Sequence, residues 1–128
     1  VFLGMGDKAG ATVNTGTDLT TAGVTYTAGA VTVGFQTTSI DASAANSDVD
    51  RNHVAASFAV NENLSVSYGM STVEFESASK VDQEDSGVAV SYTMGSMTLA
   101  AFMNKSDDVG GTSAAEDSVT EVSLAFAF

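Results

Sequence analysis

The chain has 128 residues, of which 44% are hydrophobic, and its sixteen acidic and four basic residues give a formal net charge of -12. Nucleic-acid phosphates are bound by clustered Lys and Arg side chains, so this composition argues against a nucleic-acid partner. The chain has no cysteine, which excludes disulfides and thiolate metal sites, and its apolar residues form no run long enough for a membrane-spanning helix.

Short segments with a two-residue alternation of apolar and small or polar residues follow one another along the chain, which predicts antiparallel β-strands. Three links between them are short and contain Gly, Asn or Ser, as tight hairpin turns do. These links are Ala28-Gly29-Ala30, Asn61-Glu62-Asn63 and Gly95-Ser96. The predicted strands are residues 22–26, 31–38, 53–60, 64–72, 87–94, 97–104 and 118–128.

The strands that leave the three tight links begin at Val31, Leu64 and Met97, at equal intervals of 33 residues. Such an interval indicates a repeat made of one hairpin and one long loop. Carried back from Phe35, the interval puts Phe2 on the apolar face and predicts an eighth strand at residues 1–8. Val1, Leu3 and Met5 compete with Phe2 for that face.

The alternation assigns apolar residues to one face of the sheet and mostly Ser, Thr and Gly to the other. The apolar positions are Val24, Tyr26, Val31, Val33, Phe35, Val54, Ala56, Phe58, Val60, Leu64, Val66, Tyr68, Met70, Val88, Val90, Tyr92 and Met94. A soluble sandwich with one wet face is one interpretation. However, turns that are tight at one end of the sheet and long at the other are typical of a membrane barrel.

Two further patterns favour lipid contact. The aromatic residues Tyr26, Phe58, Tyr92 and Phe126 fall near the tight-turn ends of their strands, where an aromatic girdle meets lipid headgroups. All acidic residues except Glu62 and Glu121 lie toward the long loops. A ten-residue strand tilted by about 45° covers roughly 23 Å, close to the ~25 Å apolar band of such barrels.

The closing segment places Thr120, Val122, Leu124, Phe126 and Phe128 on one face. Aliphatic or aromatic residues at every second position with Phe at the end resemble the last strand of Gram-negative outer-membrane barrels, which the insertion machinery reads. The resemblance implies residence in the outer membrane of a Gram-negative bacterium. It also implies a membrane-insertion signal formed by Val122, Leu124, Phe126 and Phe128.

The stretch from Val88 to Gly95, followed by Met97 to Ala101, combines small residues with β-branched alternation. It resembles the general porins of alphaproteobacteria, which are sixteen-stranded trimers. The likeness covers nearly all of residues 1–128 but only the C-terminal half of the family pattern. It implies an all-β fold, an antiparallel transmembrane β-barrel in which residues 1–128 are one segment of seven to eight strands. The small residues of the polar face would not fill a closed eight-stranded barrel.

The resemblance implies an outer-membrane porin, a water-filled channel for passive diffusion of ions and small polar solutes, without catalysis or a cofactor. The expected partners are outer-membrane lipid, lipopolysaccharide and two further copies in a homotrimer. The predicted pore-lining residues are Thr25, Thr32, Gln36, Arg51, His53, Ser57, Ser67, Ser91 and Glu121. The alternative is a surface barrel that acts as an adhesin or receptor through its acidic loops.

Charged residues at the long-loop ends leave more than one interpretation open. Arg51 and His53 share the polar face, where they either contribute to a transverse field for ions or form a solvated pair. Asp48 and Asp50 alternate as ligands do in a calcium loop, but the turn Gly and distal Glu of an EF-hand are missing. The second interpretation is that the acidic loops bind divalent cations loosely, as bridges to lipopolysaccharide phosphates.

Overall fold

The computed structural model describes residues 2–8 and 16–127, which form eight β-strands. Their bounds are β1 Phe2–Lys8, β2 Thr17–Ala28, β3 Val31–Ala42, β4 Val49–Ala59, β5 Leu64–Phe75, β6 Gln83–Met94, β7 Met97–Asp107 and β8 Asp117–Phe126. A single 3-10 turn at Val109–Gly111 lies between β7 and β8. No helix in this part of the chain has the length and apolar composition needed to cross a bilayer.

The eight strands form one sheet in chain order, and each pairs with its successor in an antiparallel ladder. This up-and-down arrangement confirms the predicted all-β fold and is consistent with a segment of a porin β-barrel. β1 and β8 are the two edges of the sheet, and within the described residues no ladder joins them.

The tight turns lie where the sequence predicted them. Gly29 and Gly95 open the two-residue links after β2 and β6 with positive φ angles of 59° and 60°, a conformation that glycine adopts without strain. In the link after β4, the Asn61 Oδ1 atom accepts the backbone N–H groups of Asn63 and Leu64, both at 2.9 Å. This Asx-type hydrogen bonding replaces part of the ladder while the chain reverses.

The strands extend further toward the long loops than the alternation predicts. β3 ends at Ala42, β5 ends at Phe75 and β6 begins at Gln83, each three or four residues beyond the predicted limit. In these extensions the side continuous with the apolar residues becomes polar, with Ser39, Asp41, Glu74 and Glu84. The opposite side carries Ile40, Val73 and Phe75 beside Gln83 and Asp85, so the alternation is inverted in β3 and β5 and absent from the start of β6.

β1 confirms the eighth strand but corrects the face predicted from the 33-residue interval. Phe2 pairs with Gly23, which pairs with Gln36, so its backbone position is in phase with Gln36 and the prediction from Phe35 is wrong. Leu3 and Met5 occupy the apolar face, where 68% and 77% of their surfaces are exposed. The register of β1 is set by the apolar side chains that must lie on the apolar face. A shift of one residue would move every side chain of the strand to the opposite face.

The sheet has almost no hydrophobic core. Val73, at 5% exposure, is the one hydrophobic side chain among the described residues that is buried. Large apolar side chains instead lie open on one face, from Leu3 and Met5 on the first strand to Phe126 on the last. A soluble sandwich would cover this face with a second sheet. Nothing in the described chain does so, which removes the soluble interpretation.

Candidate functional site

The register of the seven ladders defines two continuous faces. Residues directly opposite one another in adjacent strands point to the same side. One row runs through Phe58, Val66, Val90, Ala101 and Val122, and we call its side the apolar face. The neighbouring row runs through Thr32, Ser57, Ser67, Ala89, Phe102 and Glu121, and we call its side the polar face.

The apolar face carries the predicted aromatic girdle. Tyr26, Phe58, Tyr92 and Phe126 all lie on this face, within two residues of the tight-turn ends of their strands. Their exposed fractions run from 37% for Tyr92 to 68% for Tyr26. Contiguous apolar surface of this extent would drive association in water and instead suits a hydrocarbon environment. Their role as a girdle stays a prediction.

The closing strand presents its predicted insertion residues on the same face. Val122, Leu124 and Phe126 are more than half exposed, and the fourth predicted residue, Phe128, lies outside the described residues. After β8 the Ala127 N–H donates to the Ser96 carbonyl at 2.8 Å, which continues the pairing with the chain at the tight turn. The outer edge of β8 is free within the described chain.

All nine predicted pore-lining residues lie on the polar face. They are distributed as Thr25 on β2, Thr32 and Gln36 on β3, Arg51, His53 and Ser57 on β4, Ser67 on β5, Ser91 on β6 and Glu121 on β8. Gln36 pairs with His53, and Ser57 pairs with Ser67. The register thus brings hydroxyl, amide and imidazole groups together on one wall, and their contact with a water-filled lumen stays a prediction.

The polar face contains a hollow of about 520 Å³ over β4 to β7. Gly69 and Gly87 pair with each other at its floor, and His53, Ser71 and Asp85 lie among the residues around it. Such small residues line a surface without filling the space above it, and this leaves room for water and solutes.

A hydrogen-bonded chain on this face was not predicted from the sequence. Asp85 accepts the Ser71 hydroxyl at 2.9 Å and the Gln83 side-chain amide at 2.8 Å, and Gln83 Oε1 accepts the Gly110 N–H at 2.8 Å. Gln83 and Asp85 lie before Gly87, outside the strand that the alternation predicts. Gln83 and Asp85 lie four and two residues before Gly87, and this two-residue spacing is the sequence signal that places all three on one face.

Arg51 and His53 both lie exposed on the polar face, two residues apart on β4. Within the described part of the chain the ion pair shorter than 4 Å joins Lys105 Nζ to Asp107 Oδ1 at 2.8 Å, and it does not involve β4. The transverse field and the solvated pair both stay predictions for Arg51 and His53.

The carboxylates proposed for calcium hold the link between β3 and β4. Asp48 Oδ1 accepts the Ala42 N–H at 2.7 Å, and Asp50 Oδ1 accepts the Ser39 hydroxyl at 2.6 Å. The described residues contain no group of three or more His, Cys, Asp or Glu side chains arranged for a metal ion. Both carboxylates thus stabilise the junction between the end of β3 and the start of β4.

One apolar face, one hydroxyl-lined face and antiparallel up-and-down strands define a strand-built protein of the outer membrane. A family model of Gram-negative porins matches residues 4–107, so the chain belongs to the Gram-negative porin family and resides in the outer membrane. The family is a general one, and it does not narrow the origin to alphaproteobacteria. Neither the curated proteins nor the solved structures gave a significant match.

The assignment of faces can be tested on β7, where two alanines are adjacent. Ala101 pairs with Val90 and Val122 on the apolar face, whereas Ala100 pairs with Ser91 and Ser123 on the polar face. We expect Ala101→Arg to lower the free energy of unfolding by about 2 to 4 kcal/mol, because it places a charge in lipid. Ala100→Arg should cost less than about 1 kcal/mol, since its charge stays hydrated.

The measurement is denaturant unfolding of the full-length protein from lipid vesicles. Equal losses for the two variants would contradict the register of β7 and, through the ladders, of its neighbours.

Proposed function

We propose that this porin forms a water-filled channel through which ions and small polar solutes diffuse passively, with no catalytic step. The observation that carries the proposal is the division of side chains between the faces. Hydroxyl and amide groups of β2 to β8 share one wall, and most of the large exposed apolar side chains share the opposite one. A wall of this kind keeps a lumen hydrated while its outer surface contacts lipid.

We further propose that residues 1–128 form one segment of a wider, sixteen-stranded barrel. Two observations support this width. The polar face is lined mostly by Gly, Ala, Ser and Thr, which cannot fill the interior of a closed eight-stranded barrel. In addition, β1 and β8 do not pair with each other in the described chain, so both edges are free to accept further strands.

The channel proposal can be tested with cysteine labelling, because this chain contains no cysteine. Ser67 lies on the polar face and its neighbour Val66 lies on the apolar face. In planar bilayers, the full-length Ser67→Cys variant should lose conductance when a bulky, water-soluble thiol reagent is added. Val66→Cys should not respond, because lipid shields its thiol from that reagent.

A silent bilayer with unmodified protein would overturn the channel proposal, and a response of Val66→Cys alone would invert the faces. If the protein is a homotrimer, as we propose, the conductance should close in three equal steps. Binding to cells that depends on the acidic loops, together with a silent bilayer, would instead support the adhesin or receptor alternative.

We propose that the exposed residues of β8 act as the signal for membrane insertion. Val122, Leu124 and Phe126 support this because they form an uninterrupted apolar row on an edge strand. Leu124→Asp should reduce the amount of heat-modifiable, membrane-integrated protein severalfold, because a charge interrupts that row. Ser123→Asp, on the polar face, should assemble nearly as the unmodified protein does. Equal assembly of both variants would contradict the proposed signal.

We propose that lipopolysaccharide contacts the sheet beyond the apolar band through loosely bound divalent cations. Cross-strand pairs of carboxylates support this, since Asp50 lies opposite Glu74 and Glu84 lies opposite Asp107 on the apolar side. Directly opposed like charges repel and are stabilised by a bridging cation.

The lipopolysaccharide retained per protein should fall when Asp50→Asn and Glu74→Gln are combined, and EDTA should release it from the unmodified protein. The control is Glu62→Gln at the tight-turn end. If the double variant retains as much lipopolysaccharide as the control, these carboxylates do not hold it.

A further inference from the structure

The link between β7 and β8, residues 108–116, is fixed to the polar side of the sheet. The Gly110 N–H donates to Gln83 Oε1 at 2.8 Å. Gln83 belongs to the polar face because it pairs with Val73, which pairs with Arg51. The link therefore leans over the wall of the proposed channel at its long-loop end.

A second contact ties this link to the one between β5 and β6. The Val81 N–H donates to the Gly111 carbonyl at 3.2 Å. Gly111 is buried against the aliphatic chain of Lys80, and a methyl group built on Gly111 would fall 2.8 to 3.0 Å from three Lys80 carbons. The Lys80 ammonium lies 4.3 Å from the centre of the Phe75 ring, which adds a cation–π contact.

The link also holds its own shape. Asp108 Oδ1 accepts the Ala114 N–H at 2.6 Å, and the Asp108 carbonyl accepts the Gly111 N–H at 2.9 Å. The Val109 N–H donates to the Ala115 carbonyl at 2.9 Å and closes the turn from the other side. A loop with this many internal hydrogen bonds moves as a unit when it moves at all.

We infer that residues 108–116 form a fixed flap that narrows the channel mouth, and that Gln83 is the residue that positions it. Gln83 joins the flap to the wall because its amide nitrogen donates to Asp85, which in turn accepts the Ser71 hydroxyl. One side chain thus connects the flap to β5 and β6. The narrowing rests on the proposed channel function, whereas the fixed position of the flap does not.

The flap can be tested by trypsin, because Lys80 is the one basic residue of the link at residues 76–82. Cleavage after Lys80 requires the two links to separate, so its rate follows the fraction of open flap. In the full-length protein in outer membranes, Gln83→Leu should raise this rate about tenfold, because both amide hydrogen bonds are lost. The matched control is Gln36→Leu, since Gln36 bonds only to Thr38 in the described structure, and its rate should stay within about twofold.

A second variant acts from the opposite side of the contact. Gly111→Ala pushes a methyl group against Lys80 and should also expose the peptide bond after Lys80 to trypsin. Gly95→Ala is its control, because Gly95 also has a positive φ, of 60°, but lies at a tight turn away from the flap and has no atom within 4 Å of the added methyl group. The cleavage rate is measured only for protein that is membrane-integrated and heat-modifiable.

Cleavage of Gln83→Leu and Gly111→Ala at the unmodified rate would overturn the fixed flap, as would equal acceleration in their controls. Single-channel recordings then test the narrowing: Gln83→Leu should give larger and noisier conductance than the unmodified protein. An unchanged conductance with accelerated cleavage overturns the narrowing alone. A silent bilayer with the expected cleavage pattern supports the flap and overturns the channel function.

Discussion

The two-residue alternation of side chains, held in one register through seven antiparallel ladders, is the constraint on which this structure depends. Each ladder hydrogen bond satisfies a backbone group that lipid cannot solvate, and an unsatisfied group there costs several kcal/mol. The same ladders decide which side chains meet lipid. If β5 slipped by one residue against its neighbours, Ser67 would replace Val66 on the apolar face, and both surfaces would be lost.

Local signals were enough to predict the hairpins and the two faces. Gly29, Asn61 and Gly95 mark the tight turns, and the stretch from Val88 to Met94 alternates without interruption. Because side chains alternate between the two faces, one correctly assigned strand determines which residues of the paired strands lie on each face. The ends of the strands were not predictable in this way. Around Gln83 the ladder continues through residues that are polar on both sides, and periodicity then carries no information.

The flap illustrates a different limit. The contact between Gly110 and Gln83 spans 27 residues of sequence and depends on the left-handed backbone of Asp108, which its residue type does not dictate. Charge and loop length favour exposure of the link at residues 108–116, and most of its residues are exposed. They did not indicate that its backbone amide would meet a side chain of the wall. Contacts of this kind follow from loop conformation, which short-range patterns leave undetermined.

The isolation of Val73 as a buried hydrophobic residue has a consequence for how the sequence can change. In a water-soluble domain, trimming a core side chain leaves a cavity that rigid neighbours cannot close, and the cavity adds to the cost. On the apolar face the neighbours beyond each side chain are fluid acyl chains, which flow into the vacated volume. Side-chain size is therefore weakly constrained there. Leucine, valine, methionine and phenylalanine are close to interchangeable on that face, provided that every second residue stays apolar.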